Sequence, residues 1–215
     1  MNAPAKHSAR WFVLIALFAV LAGCQGPLLT GAYLLGYGDT QAEYKGLKGK
    51  RVVVVCRPLV ELQFSNMNAS KMITREVAQL LRKNVSQIDV VDSQKTAEWL
   101  DSNNSDEYTD IGRAFDADMV VGVDLIDFKV RQGQTLYRGT ASYEIKVVDC
   151  ETGATVFQKS PAPCTWPTNV GVPTSSKQES QFRRQYVGIL AGEIARCFYR
   201  YDHRENFASD SLAFE

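Results

Sequence analysis

Histidine is almost missing from this chain, with only His7 and His203 in its 215 residues. A histidine general base or a histidine-containing triad therefore has next to no candidate. Charge of one sign is not in excess either: 24 Lys and Arg stand against 24 Asp and Glu. Without a basic surplus there is no electrostatic grip on nucleic acid or on an anionic bilayer surface. No C-x-x-C and no Cys/His pair at ligand spacing occurs, so no metal site is expected. No Gly-rich loop follows the first predicted strand, where Cys56-Arg57-Pro58-Leu59 stands in place of a phosphate-cradling turn. No cofactor is called for. Nor does any apolar run reach the roughly 20 residues that a transmembrane helix needs.

What the sequence does have is a short apolar run, Trp11 to Leu21, preceded by Lys6 and Arg10 and followed by small residues. A positive n-region, a brief apolar core and a small-residue cleavage site make a secretory signal peptide. Leu21-Ala22-Gly23-Cys24 also resembles the bacterial lipobox. That resemblance implies cleavage before Cys24, lipidation of its sulfur and acylation of its new amine. Residues 1–23 are then signal, and Cys24 is the membrane anchor. At about 0.8 kcal/mol per buried CH₂, one acyl chain binds marginally and two or three hold firmly. An ordinary signal peptide with a chance cysteine, or an uncleaved anchor, is the alternative. Gln25, where Asp would mark retention, resembles outer-membrane sorting in enterobacteria.

Four more cysteines follow: Cys56, Cys150, Cys164 and Cys197. Export permits disulfides, for instance Cys150 with Cys164 around a hairpin and Cys56 with Cys197 between a strand and the last helix. Buried free thiols are the competing reading, since Cys56 and Cys197 sit in apolar patterns.

Residues 24–49 read as a Gly-rich tether, residues 50–201 as a single domain, and 202–215 as a flexible tail. Tyr33, Tyr37 and Tyr44 suit the bilayer interface or the domain's flank, and a plain flexible linker fits the tether equally well. The domain opens on Val52-Val53-Val54-Val55-Cys56, a β-branched run suited to a strand buried on both faces. A helix capped by Ser70 runs to about Val85, then come a short strand at Ile88–Val91, a helix capped by Ser93, and a short helix at Ile111–Phe115. A third strand from Asp118 to Arg131 turns at Gln132-Gly133 into a fourth, with Phe128 placed opposite Tyr137 and Asp127 opposite Arg138. A fifth strand, Ala154–Gln158, a Pro- and Ser-rich loop from Ser160 to Lys177, and a helix from Gln178 to Tyr201 complete the domain. With right-handed crossovers, the expected architecture is α/β: a five-stranded mixed sheet, order 2-1-3-4-5, covered by helices.

Candidate residues for function are few. Asp118, Asp124, Asp127 and Asp149 supply the carboxylates that glycoside chemistry requires in pairs, yet each has an ordinary structural role to fill. Gly188 and Gly192 form a G-x-x-x-G read as close helix-to-sheet packing. Trp166, between Pro163 and Pro167, is a candidate partner contact or a plug for the end of the core. Phe64 and Met67 form a second candidate contact in the preceding polar loop.

Several segments in succession resemble the periplasmic α/β domain of the TolB amino-terminal, CsgG-type and LpoB-type proteins. They are Arg51–Val55, Val77-Ala78-Gln79-Leu80-Leu81, Ala114–Gly122 (a "gAD-x-hhhxG" strand entry) and Tyr143–Gly153 (an "hhD-x-x-TG" hairpin). The resemblance implies a non-enzymatic envelope lipoprotein, periplasm-facing, that binds a protein partner in envelope assembly or maintenance. The alternative, a lesser reading, is an oligomeric CsgG-like subunit of a secretion or trans-envelope complex; a peptidoglycan-acting enzyme is the least favoured reading.

Overall fold

The computed structural model describes residues 39–58, 63–103 and 107–202, the backbone alone over 63–67. Strand β1 (Arg51–Pro58) lies inside the sheet, and Val52, Val53, Val54 and Val55 are all buried. Successive strand residues face opposite sides. Val52, Val54 and Cys56 therefore meet helices α1 (Gln63–Asn84) and α4 (Glu179–Ala195), while Val53 and Val55 meet the face of α2 (Ser93–Ser102) and α3 (Tyr108–Ala114). Strand β2 (Asp89–Val90) pairs parallel on one side of β1, and β3 (Met119–Gln132) pairs parallel on the other. β4 (Leu136–Asp149) and β5 (Thr155–Lys159) continue antiparallel, so the sheet runs β2-β1-β3-β4-β5 as expected.

Two further strands bring the sheet to seven. They come from the Ser160–Lys177 stretch read as loop: β6 (Cys164–Trp166) pairs with Gly139–Ala141, and β7 (Val172–Pro173) pairs with Leu136 and Tyr137. Each is too short to leave a periodic signature. Both use the edge of β4 that β5 does not reach.

Other boundaries also moved. α1 begins at Gln63, since no Gly or Pro interrupts Gln63–Asn84. Ser70 is instead a buried helix residue whose hydroxyl bonds the Cys56 thiol, and the Cys56 amide donates to Thr74 Oγ1 at 2.9 Å. α2 is capped by Asp92, which accepts from the Gln94 amide, and not by Ser93. At the other end of the chain, α4 stops at Ala195.

The β3–β4 register differs from expectation. The turn holds three residues, with Gly133 at φ +67°, and register shifts fall between Leu125 and Asp127 and between Lys129 and Arg131. Phe128 consequently pairs with Ala141 and Asp127 with Ser142. The first bulge also turns Ile126 outward, to 47% exposure.

Glycines act differently along the chain. At Gly139 a Cβ would overlap the ring of Tyr186, which is fully buried and donates its hydroxyl to the Cys164 carbonyl at 2.9 Å. At Gly188 and Gly192 a Cβ would meet nothing within 4 Å among the described residues. The G-x-x-x-G is thus not a packing device, because α4 turns those positions away from the sheet. Gly139→Ala should cost about 1–3 kcal/mol by overpacking. Gly188→Ala should gain roughly 0.5–1 kcal/mol, the usual helix-interior difference. Urea titrations of both variants check the contrast, and equal effects would contradict it.

Candidate functional site

Helices α2 and α3 cover only part of the second sheet face. Where they stop, charged residues replace valines. Tyr108, the first residue of α3, lies against Gly122, where a Cβ would collide with its ring. The Arg57 guanidinium stacks on that ring, 3.7 Å from its centroid, and its Nη2 lies 3.7 Å from Asp124 Oδ1. Tyr108 donates its hydroxyl to the same oxygen at 2.6 Å. Lys146 then bridges Asp124 Oδ2 at 3.0 Å and Glu144 Oε2 at 2.7 Å. Gln158 and Ser160 both donate to Glu144 Oε1, at 2.7 and 3.0 Å.

Register explains the alignment. Arg57 pairs with Asp124, Asp124 with Glu144, and Lys146 with Gln158, so one half-buried polar row crosses β1, β3, β4 and β5. Hydrogen bonds from Lys146, Gln158 and Ser160 lower the Glu144 carboxyl to about 2. The same carboxylate, and then Asp124, raise Lys146. Burial foremost raises Tyr108, and its bond to the Asp124 carboxylate adds to this. A glycosidase acid must instead be held protonated near neutrality. Glu144 is shifted the opposite way, so the row suits cohesion and contact better than proton transfer.

The remaining carboxylates are held locally. Asp118 accepts from the Arg51 amide at 2.7 Å, and Asp149 Oδ1 accepts from the Glu151 and Thr152 amides and the Thr152 hydroxyl in its own turn. Asp127 pairs with Lys129 at 2.9 Å, not with Arg138, whose Nη2 donates to the Thr168 carbonyl. Among the described residues no group of three or more His, Cys, Asp and Glu side chains is placed to hold a metal ion.

Of the residues singled out from sequence, Cys24 lies outside the described residues, as do the side chains of Phe64 and Met67. Trp166 is 1% exposed and stacks on Phe182 with centroids 5.2 Å apart. It is the plug of the two readings offered for it: β6 turns its ring inward beside Gly139, away from any docking protein. Cys56, Cys150, Cys164 and Cys197 are all free thiols. The two pairings do not form, because Cys56, Cys150 and Cys197 are placed by different neighbours and Cys164 by Tyr186. Cys150 fills the space left by Gly112, Cys56 meets Ser70, and Cys197 lies 3.9 Å from Lys159 Nζ. Burial pushes Cys56 and Cys164 up to about 12 and Cys197 to about 11. The polar row itself was missed in the sequence. Its only signal is a set of isolated charges, Arg57, Asp124, Glu144 and Lys146, each within an apolar strand.

No protein-family model and no curated protein matches the chain. Solved structures it resembles include a PelC dodecamer from Paraburkholderia phytofirmans, at 16% identity and TM-score 0.42, covering 75% of this chain and 95% of that one. Lipoprotein GNA1162 from Neisseria meningitidis is 14% identical with TM-score 0.38, covering 67% of this chain and 97% of that one. The LpoB C-terminal domain from Salmonella enterica is 11% identical with TM-score 0.29, covering 55% and 82%. Bacterial lipoproteins are thus among the structural neighbours. Likeness of this degree transfers neither activity nor partner.

Two outcomes follow for the site. Glu144 has a folded pKa below its ordinary 4.5, so its stabilisation is complete above about pH 4.5 and lost as pH falls toward about 2. Glu144→Gln should therefore lower Tm at neutral pH and flatten the acid limb of Tm against pH, the two proteins converging near pH 2. Parallel profiles would refute the bond set. Buried thiols with raised pKa should resist a thiol-labelling reagent in the native state and react in denaturant. Mass spectrometry counts the labels, and rapid native labelling of Cys56 or Cys197 would contradict the burial.

Proposed function

We propose that this chain is a lipid-anchored, periplasm-facing lipoprotein of the bacterial envelope, without catalysis, whose domain binds a protein partner in envelope assembly or maintenance. One observation carries the reading: Leu21-Ala22-Gly23-Cys24 closes a signal-type apolar run. The TolB-, CsgG- and LpoB-like succession of motifs supports it, and Gln25 favours the outer membrane. No helix of the described residues is long and apolar enough to cross a membrane. The four candidate carboxylates, Asp118, Asp124, Asp127 and Asp149, are engaged with cations, amides or hydroxyls, which favours recognition over chemistry. The second reading is an oligomeric subunit of a secretion or trans-envelope complex. As a lipid-facing pore wall, the β3–β4 hairpin would expose Asp127, Lys129, Arg138, Glu144 and Lys146 on one face, Arg131 having turned with Tyr137 toward Glu179 on the other. Charges cost several kcal/mol at the bilayer midplane. A ring outside the bilayer carries no such cost.

Replacing Cys24 with Ser removes the lipidation site. The variant should leave the membrane fraction on cell fractionation, and persistent membrane binding would overturn the anchor. Sizing the wild-type protein in mild detergent separates the two readings, since a stable ring excludes the solitary adaptor.

A further inference from the structure

The stretch read as the end of the tether is built into the domain. Strand Asp39–Thr40 pairs with Tyr201–Asp202, and the Glu43 and Tyr44 amides donate to the Cys197 carbonyl at 2.9 and 3.0 Å. From there the chain crosses one end of the sheet. The Tyr44 ring lies 5.4 Å from Phe157 of β5, Leu47 is buried in the main core, and the Lys50 carbonyl accepts from the Asp89 amide of β2. α1 reaches the same end, because a crossover helix runs back along its strand and finishes where the parallel neighbour starts. Its last turn carries Arg82 and Lys83, and Arg82 bonds the Val90 and Val91 carbonyls there. Lys45, Lys48 and Lys83 are exposed and form no ion pair among the described residues. The carboxylates set around them are matched: Glu43 by Lys159, Glu193 by Arg196, Asp89 by Arg51 and Asp118 by Lys50. Asp39 and Asp202 have partners as well. At the opposite end, about 45 Å away along the 14 residues of β3, Gln132, Gly133, Gln134 and Thr135 are exposed and uncharged.

We propose that Lys45, Lys48 and Lys83 form a foot that seats this end of the domain on the anionic headgroups of the membrane holding its anchor. The inference rests on the lipidated Cys24 proposed above. The balance of 24 bases against 24 acids hides such a foot, because it counts charges without placing them. Basic side chains close to an anionic bilayer surface are attracted to it, and three on one end favour one orientation while the lipid supplies retention. Lysine suits this task, since its flexible stem brings a compact ammonium to a phosphate without demanding a fixed geometry. The neighbouring carboxylates, already matched, add little repulsion. Seated in this way, the domain touches lipid at the end where the chain from Cys24 enters it. The β3–β4 turn then points away from the membrane, toward the periplasm.

The test uses the full lipidated chain, extracted from cells that produce it and placed in vesicles of phosphatidylcholine alone or mixed with phosphatidylglycerol. Brief acetylation of amines followed by mass spectrometry reads each lysine separately. With phosphatidylglycerol present, Lys45, Lys48 and Lys83 should react about fivefold more slowly, equivalent to the ~1 kcal/mol that one basic side chain gains near an anionic surface. Lys129, toward the far end of β3, should react equally in both vesicles. Raising the salt should erase the difference, because it screens exposed charges. Lys48→Glu combined with Lys83→Glu should restore fast acetylation of Lys45 while the protein still floats with the vesicles. Equal rates in the two vesicles, or slowing that Lys129 shares, would overturn the foot. Protein that does not float with neutral vesicles would instead mark failure of the anchor on which the foot depends, so the two failures are distinguishable.

Discussion

The valines of β1 are the constraint on which the rest depends. Fully burying a side chain of this kind contributes about 1.5–3 kcal/mol, and Val52 to Val55 are buried on alternating faces. A strand buried on both sides needs helices on both sides and strands at both edges. Parallel neighbours in turn need crossovers, which α1, and then α2 with α3, provide. β3 and β4 are much longer than β1, so their outer halves pass beyond the helices of the second face. An antiparallel pair can show one face to water, and there the pattern changes from valine to charge. The row from Arg57 to Gln158 begins where the two-sided core ends.

What could be read in the sequence follows the same division. Val52-Val53-Val54-Val55 permits little except a central strand, and chain handedness then fixes the neighbours. The β3–β4 pairing was recognisable, but not its register. A three-residue turn and two bulges shift Phe128 from Tyr137 to Ala141, and bulges leave no compositional trace. β6 and β7 were hidden for another reason: strands of three and two residues are defined by the edge they join. The ladder was hidden most deeply, since Arg57, Asp124, Glu144 and Gln158 converge only when four strands are in register. Trp166 shows the limit of composition. Prolines on both sides marked it as loop, while its burial depends on Gly139 and Phe182 elsewhere in the chain. Gly188 and Gly192 failed in the opposite way, as a familiar spacing whose close neighbour is missing among the described residues.

The commitments of the polar residues bear on what the proposed anchored domain can recognise. Isolated charges are expensive to bury beneath a partner, while charges already bonded to one another bring part of their compensation with them. Asp124 and Glu144 share Lys146, and Arg57 is stacked on Tyr108, so a docking protein need not supply a counter-ion for each. Such a face gives orientation more than affinity, and with Trp166 in the core its large aromatic anchor is withdrawn. Weak contact is sufficient when the partners are already confined together. A lipid at Cys24 would supply that confinement as effective concentration, provided the geometry lets both contacts form at once.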